Sequence, residues 1–311
     1  MRTFQNIPSV ITDKALLEVA FSRARRMVNK AHPRDTKIDA KKRKEVEKIT
    51  TINEILVAKL AIIISSFPSF DDLSPYYRDL CYATLDVGEL KHSLGAVQWA
   101  QQQVTKFSSM YCSMLKQTQE ARKVGELSRA YYGRIASVIK RISSELLELE
   151  NARRTLKTFP TIKEGFTVCI VGFPNVGKST LLKRLTGSKV EVEAYAFTTK
   201  TINIGYAEGV QLIDTPGSLN RPAKMNLVEK EADLAMKHLA NAFISVIDLT
   251  ETYSLEEQLT LHRKVLAYKK PTVVYLSKTD LLPPEAVKGF SIAEKVFTHP
   301  DNLKAWLRDR V

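Results

Sequence analysis

Between residues 12 and 159 apolar positions recur at helical spacing almost throughout, and strand-like alternation is nearly absent. The clearest stripe is Ile135, Val138, Ile142, Leu146 and Leu149, at steps of three, four, four and three. That spacing puts all five on one helix face. Thr12 can cap a first helix running through Leu16 and Val19 to about Ala31, where His32-Pro33 stops it. A second helix is predicted from about Asp39 to Phe67, ending at Pro68. Ser74-Pro75 pairs a cap with a proline at the first helical position, opening a helix that includes Tyr77, Leu80 and Leu85. The next helix is expected to bend or break near Gly95. Together these elements predict an antiparallel helical bundle.

After Phe159-Pro160 the period changes. Thr167–Val171 is a short continuous apolar run, as a strand buried on both faces would be. Similar runs at Val210–Ile213, Ala242–Ile247 and Thr272–Leu276 alternate with helical stretches. This alternation predicts an α/β domain, a mostly parallel sheet with helices on both faces. The boundary falls near Pro160, giving an all-α unit over 1–160 and an α/β unit over 161–311, and 311 residues suit two such cores.

Charge sharpens the division. The chain carries 47 basic and 34 acidic residues, a net charge of +13. Residues 1–160 hold 27 basic against 17 acidic residues, and the remainder 20 against 17. The excess in the helical half points to a polyanionic partner, nucleic acid ahead of membrane. Its densest clusters are Arg23-Ala24-Arg25-Arg26 and Lys41-Lys42-Arg43-Lys44. Tyr76-Tyr77 and Tyr131-Tyr132 could stack on unpaired bases, with core packing as the competing reading. Cys81, Cys112 and Cys169 are far apart in sequence, and no histidine stands at metal-ligand spacing, so buried thiols in a reducing, cytoplasmic setting are expected. The N-terminus has no apolar leader, and the most apolar run, Ile55–Phe67, is too short to span a bilayer.

The α/β half carries the chemistry. Gly172-Phe173-Pro174-Asn175-Val176-Gly177-Lys178-Ser179-Thr180 fits GxxxxGK[ST] between a strand and a helix. Its backbone N–H groups and helix N-terminus can cradle phosphates. Lys178 is expected to reach the β- and γ-phosphates, and Ser179 to ligate Mg²⁺. Asp214-Thr215-Pro216-Gly217 follows the strand Val210–Ile213. Asp214 stands where an aspartate would hold Mg²⁺ through water, and the Gly217 N–H can turn to a γ-phosphate. Ser277-Lys278-Thr279-Asp280 follows the strand Thr272–Leu276. Asp280 can accept from guanine N1–H and the 2-amino group, a donor pair adenine lacks, and Lys278 would lie along the base. Of Thr198 and Thr199, the latter is preferred as the hydroxyl that closes over Mg²⁺. Ala293, in Ile292-Ala293-Glu294, is the candidate for the short loop that completes a guanine site.

With these motifs in place the chain resembles the Obg class of translation-factor-related GTPases, and within it the nucleolar GTP-binding protein subfamily. Tyr195-Ala196-Phe197-Thr198-Thr199 is similar to the YxFTT segment of that class. The opening Phe4-Gln5-Asn6-Ile7-Pro8-Ser9-Val10, followed by a long helical domain, resembles the subfamily. The resemblance implies a GTP-hydrolysing switch in assembly of the large ribosomal subunit. Its cofactors would be GTP or GDP and Mg²⁺, its partners rRNA and ribosomal proteins, and it would be monomeric off the ribosome. The chain ends soon after Asn302–Arg310, which suggests the short, archaeal-like form. Ser277 stands where the family usually has Asn, an exchange expected to weaken nucleotide binding. Ser218 and Leu219 follow Gly217 where a glutamine could orient water, so intrinsic hydrolysis on the order of 10⁻⁴ to 10⁻² s⁻¹ is expected. Asn175 occupies the position that binds K⁺ in related GTPases, which implies K⁺ stimulation. The competing readings are an RNA-binding scaffold with a structural nucleotide and a protein-targeting GTPase.

Overall fold

The structure is a computed structural model; it describes residues 4–26, 36–162, 165–187, 190–194, 201–215, 227–250 and 253–310. Among the described residues six α-helices precede the first strand: α1 (Asp13–Arg26), α2 (Lys37–Ser66), α3 (Pro75–Thr84), α4 (Val87–Gln117), α5 (Ala121–Arg141) and α6 (Ser143–Lys157). They begin where the chemistry dictates. Thr36 Oγ1 accepts from Asp39 N–H at 3.2 Å to cap α2, and Asp86 Oδ1 accepts from Glu89 N–H at 2.9 Å to cap α4. Each such cap contributes about 1 kcal/mol.

The chain divides into two units, Met1–Phe70 with Leu85–Lys157, and Asp71–Thr84 with Thr158–Val311. In the first unit α2 buries Ile49, Ile52, Leu56, Leu60 and Ile63 along one face. By length and composition α2 is long and apolar enough to cross a bilayer. The predicted stripe of Ile135, Val138, Ile142, Leu146 and Leu149 is buried throughout. It spans two helices rather than one, because Ile142 leaves helical geometry at φ −103° and ψ 19°. A one-residue break barely disturbs the spacing, so periodicity alone does not reveal it. Conversely, α4 runs unbroken through Gly95. Tyr76, Tyr77 and Tyr131 are core residues, whereas Tyr132 is half-buried. The Tyr131 hydroxyl is paired with Ser108 Oγ at 2.9 Å.

The second unit is built on a seven-stranded sheet of β1 (Thr167–Val171), β2 (Val190–Ala194), β3 (Thr201–Ala207), β4 (Val210–Asp214), β5 (Ala242–Asp248), β6 (Thr272–Ser277) and β7 (Val296–Phe297), in the order β2-β3-β4-β1-β5-β6-β7. The β2–β3 and β3–β4 pairs are antiparallel, and the other four pairs are parallel. All four strand runs read from the sequence are present. The helices are α7 (Lys178–Thr186), α8 (Leu227–His238), α9 (Leu255–Leu266), α10 (Pro284–Gly289) and α11 (Pro300–Arg308). Although α3 lies far upstream, it belongs to this unit and packs on α8. Asp79 of α3 meets His238 Nε2 at 2.8 Å, and the Tyr77 hydroxyl donates to Pro160 O at 2.8 Å while accepting from Ile162 N–H at 3.0 Å. Strand β1 sits between β4 and β5, so the strand order reverses there, and ligand sites of open α/β sheets form at the carboxyl ends of such strands.

Candidate nucleotide site

The loop from Gly172 to Gly177 leaves the carboxyl end of β1 and enters α7. A Cβ on Gly172 would stand 2.7 Å from the Val246 carbonyl oxygen, so only glycine fits between β1 and β5. Gly177, the N-cap of α7, is left-handed at φ 97°, and Asn175 is left-handed at φ 62°. Val176 is fully buried and Phe173 stacks on Tyr253 with ring centroids 4.7 Å apart, which anchors the loop from below. Pro174, Asn175, Ser179 and Thr180 are exposed.

Lys178 is 7% exposed, and its Nζ donates to Phe173 O at 2.7 Å. Burial lowers its pKa, and the nearby Asp214 carboxylate only partly opposes this. A buried ammonium has three donors, so an anionic phosphate would both pair the charge and use the remaining donors. Ser179 Oγ donates to Asp214 Oδ2 at 2.5 Å, and Asn203 Nδ2 donates to the same oxygen at 3.2 Å. The other oxygen, Asp214 Oδ1, is buried without a hydrogen-bond partner among the described residues. A buried carboxylate oxygen left unpaired beside a serine hydroxyl is a donor set that fits Mg²⁺ or a water on it. Ser179 and Asp214 are the residues that would hold the ion, which would supply charge neutralisation at the phosphates. Thr215 ties the end of β4 to β1, its N–H and hydroxyl both donating to Ile170 O, at 3.1 and 2.8 Å. The expected switch positions Thr198, Thr199 and Gly217 lie outside the described residues.

On the other side of β1, Ser277 ends β6 and is paired in register with Asp248, the last residue of β5. Ser277 is buried, and its Oγ donates to Ile247 O at 3.3 Å. A Cβ on Gly177 would lie 3.5 Å from the Ser277 Cβ, so the guanine and phosphate loops adjoin here. Lys278 takes left-handed backbone at φ 52°, and Thr279–Leu281 form a single 3₁₀ turn that leaves Asp280 exposed.

Residues 4–163 match the family described as NOG1 N-terminal helical domain, and residues 167–278 match the one described as 50S ribosome-binding GTPase. An uncharacterized protein of Methanocaldococcus jannaschii is 35% identical over 92% of this chain and 83% of its own length. The chain belongs to the NOG1 family. Nucleolar GTP-binding protein 1 of Drosophila melanogaster is 33% identical over 91% of this chain, and that of Saccharomyces cerevisiae 32% over 91%. The alignments cover 45% of each of those two relatives, so the chain spans about half their length. Among solved structures, the G domain of the T. maritima FeoB iron transporter aligns over 44% of this chain and 89% of that one, at 25% identity and a TM-score of 0.36, too low to bear on function. As a NOG1 member the chain is a GTP-binding protein with a GTPase domain, for which guanine nucleotide and Mg²⁺ are the expected ligands.

Within this NOG1 member, one predicted residue stands apart from the rest. Ala293 precedes β7, the last strand, which pairs parallel to β6. It therefore sits toward the amino end of β7, and Thr298 and His299 are the residues that leave the strand at the end where Ser277 lies. The two-residue β7 is too short to register as a strand in the sequence. The sequence reading also missed Asp248. Its Oδ2 accepts from Lys278 Nζ at 2.5 Å, and its Oδ1 from Thr250 N–H at 2.9 Å and Thr250 Oγ1 at 2.7 Å. Gln258 braces the backbone beneath, accepting from Asp248 N–H at 2.8 Å and donating to Asp248 O at 2.7 Å. Burial pushes the Asp248 carboxyl up, but the hydrogen bonds from Lys278 and Thr250 outweigh it, and the group lies below the usual carboxylate range. An acid closing the apolar run Ala242–Ile247 at the ligand end of a strand was the available signal.

Proposed function

We propose that this protein is a Mg²⁺-dependent GTPase switch acting in assembly of the large ribosomal subunit. The observation that carries the reading is the convergence of Lys178, Asp214 and the Ser277–Asp280 loop on the carboxyl ends of β1, β4 and β6, at the strand-order reversal. In this reading Lys178 neutralises the phosphates and water is the nucleophile. Thr199 and Gly217 respond to the γ-phosphate, and Asp280 selects guanine, with Thr298 and His299 rather than Ala293 completing the base site. The basic helical half, residues 1–160, contacts rRNA, and ordering of the switches by GTP sets its affinity. Support for the ribosomal part comes from family membership and from the excess of basic charge in that half.

Base selection is tested directly by Asp280→Asn. Xanthine carries a carbonyl where guanine carries its 2-amino group, so the amide should turn preference from GDP to XDP. Unchanged preference for GDP over XDP would remove Asp280 from the base site. The ribosomal partner is tested by co-sedimentation with separated subunits at about 0.15 M salt, where exposed charge is largely screened. Retention on the large subunit with a non-hydrolysable GTP analogue and release with GDP is expected, and equal binding to both subunits in either state would refute the switch. Hydrolysis should run faster in KCl than in NaCl, with Asn175→Ala abolishing the difference; equal rates in the two salts would remove K⁺ from the reading.

A further inference from the structure

In the helical unit a cavity of about 240 Å³ opens where α1, α2 and α5 meet, lined by Phe21, Ala24, Arg25, Lys48, Ile52 and Tyr132. The rings of Phe21 and Tyr132 stand edge to face, 5.8 Å apart at 84°. Ala24 and Ile52 are buried and contribute apolar lining. Glu45 holds two of the other walls, accepting from the Tyr132 hydroxyl at 2.7 Å and from Lys48 Nζ at 2.6 Å. The Tyr132 ring is thus fixed in place before anything binds. Arg25 makes no ion pair among the described residues. On the exposed side of the same helix, Arg23 and Arg26 line a second depression together with Glu18, Val19 and Ser22.

We propose that this cavity receives a single unpaired RNA base, with the adjoining phosphates held by Arg23, Arg25 and Arg26. The inference rests on the RNA-contacting part of the function proposed above and gives it a site. Pockets for drug-sized ligands run to about 300–1,000 Å³, so this smaller space suits one base rather than a whole cofactor. An apolar side chain of a protein partner would have no use for Arg25 at the opening, and an acidic peptide none for the two rings. A nucleotide uses both, because every base has a π-face and every linkage a negative charge. Since Lys48 is already neutralised by Glu45, the phosphate charge falls to the arginines of α1.

The test is a fluorescence titration of the full chain with a short single-stranded RNA carrying 2-aminopurine at its centre, at about 0.15 M salt. Stacking in the cavity should quench the fluorophore. Replacing that nucleotide with an abasic linker should weaken binding by about 5- to 150-fold, the range for loss of one stacked base. Phe21→Ala should abolish the quench and weaken the intact RNA by a similar factor, while leaving the abasic RNA unaffected; Phe21→Leu preserves bulk and should do the same. Arg25→Glu should weaken both RNAs. GDP binding, measured on the same variants, should not change, which separates failure of this site from failure of the GTPase reading. Equal affinity for intact and abasic RNA would overturn the proposal and reduce the surface to phosphate binding. So would displacement of the RNA by polyglutamate with equal ease from the wild type and Phe21→Leu, an outcome that would point to an acidic peptide.

Discussion

The contact between Lys278 and Asp248 gives the sharpest test of how the guanine loop is held. Asp248 is buried and takes three hydrogen bonds, one from the Lys278 ammonium at 2.5 Å and two from Thr250. Lys278→Met removes the charged donor and leaves the carboxylate with Thr250 alone. A hydrogen bond to a charged group contributes about 1.5–3 kcal/mol, and the stranded buried charge places the expected loss at the upper end, about 3 kcal/mol. Asp248→Asn strands the ammonium instead; because the Lys278 side chain is 31% exposed and partly hydrated, about 1.5–2 kcal/mol is expected. The double variant leaves neither charge and should cost only about 1–2 kcal/mol, since removing both partners avoids the unpaired state. The coupling energy is therefore about 3 kcal/mol, read from urea denaturation of the four proteins at pH 7. The pH dependence supplies a second arm. In the wild type Asp248 is held below its unfolded value, so its stabilisation is present above about pH 4 and is lost as pH falls through the lower, folded pKa. In Lys278→Met the hydrogen bond and charge that most oppose burial are gone, so the carboxyl should lie less far below its unfolded value and the stabilisation present above about pH 4 should shrink. Additivity of the single losses to within about 0.5 kcal/mol, or an unaltered pH slope, would refute this account of the loop.

Two further variants test the phosphate side. Lys178→Met removes a buried ammonium whose desolvation is unbalanced without phosphate; it should raise the stability of the nucleotide-free protein by about 1 kcal/mol while abolishing the thermal shift produced by GDP, and a destabilised nucleotide-free variant would contradict the reading of the site. Ser277→Asn gives the guanine loop an amide long enough to reach across to the phosphate loop at Gly177; GDP should bind about 2- to 12-fold tighter, the value of one neutral hydrogen bond, and an unchanged dissociation constant in a calorimetric titration would show that Ser277 costs nothing.

Legibility of the chain tracked the range of the interactions. The phosphate loop could be read because strand, loop and helix N-terminus are contiguous, and its glycines answer local demands such as the approach of the Val246 carbonyl to Gly172. The placement of Asp214 and Ser277–Asp280 at strand ends could be read because each follows a conspicuous apolar run. Asp248 could not be assigned, because its role comes from Lys278, thirty residues downstream, and Gln258, ten residues on. The position of Ala293 was hidden for a similar reason: only the pairing of β6 with a two-residue β7 shows which end of that strand faces Ser277. The helical half showed its buried face correctly, yet the break at Ile142 was hidden because neither proline nor glycine marks it. The tyrosine pairs required three dimensions, since Tyr131 and Tyr132 are neighbours in sequence but only one of them is fully buried.

The membership of α3 in the second unit bears on modularity. The polypeptide passes from one unit to the other at residues 70–71, 84–85 and 157–158. A single cut near Pro160 would therefore not yield two self-sufficient products: the downstream piece would lack α3 and bare the side of α8 that receives Asp79, while the upstream piece would carry an orphan helix. Neither half can be exchanged as a cassette between relatives without recutting the other. A gene fusion or truncation designed from linear order alone should give a GTPase fragment prone to association through that uncovered side, whereas a fragment with 71–84 tethered back onto it should remain monodisperse. The G unit is in this sense encoded in two places, and inheritance has to keep them in step.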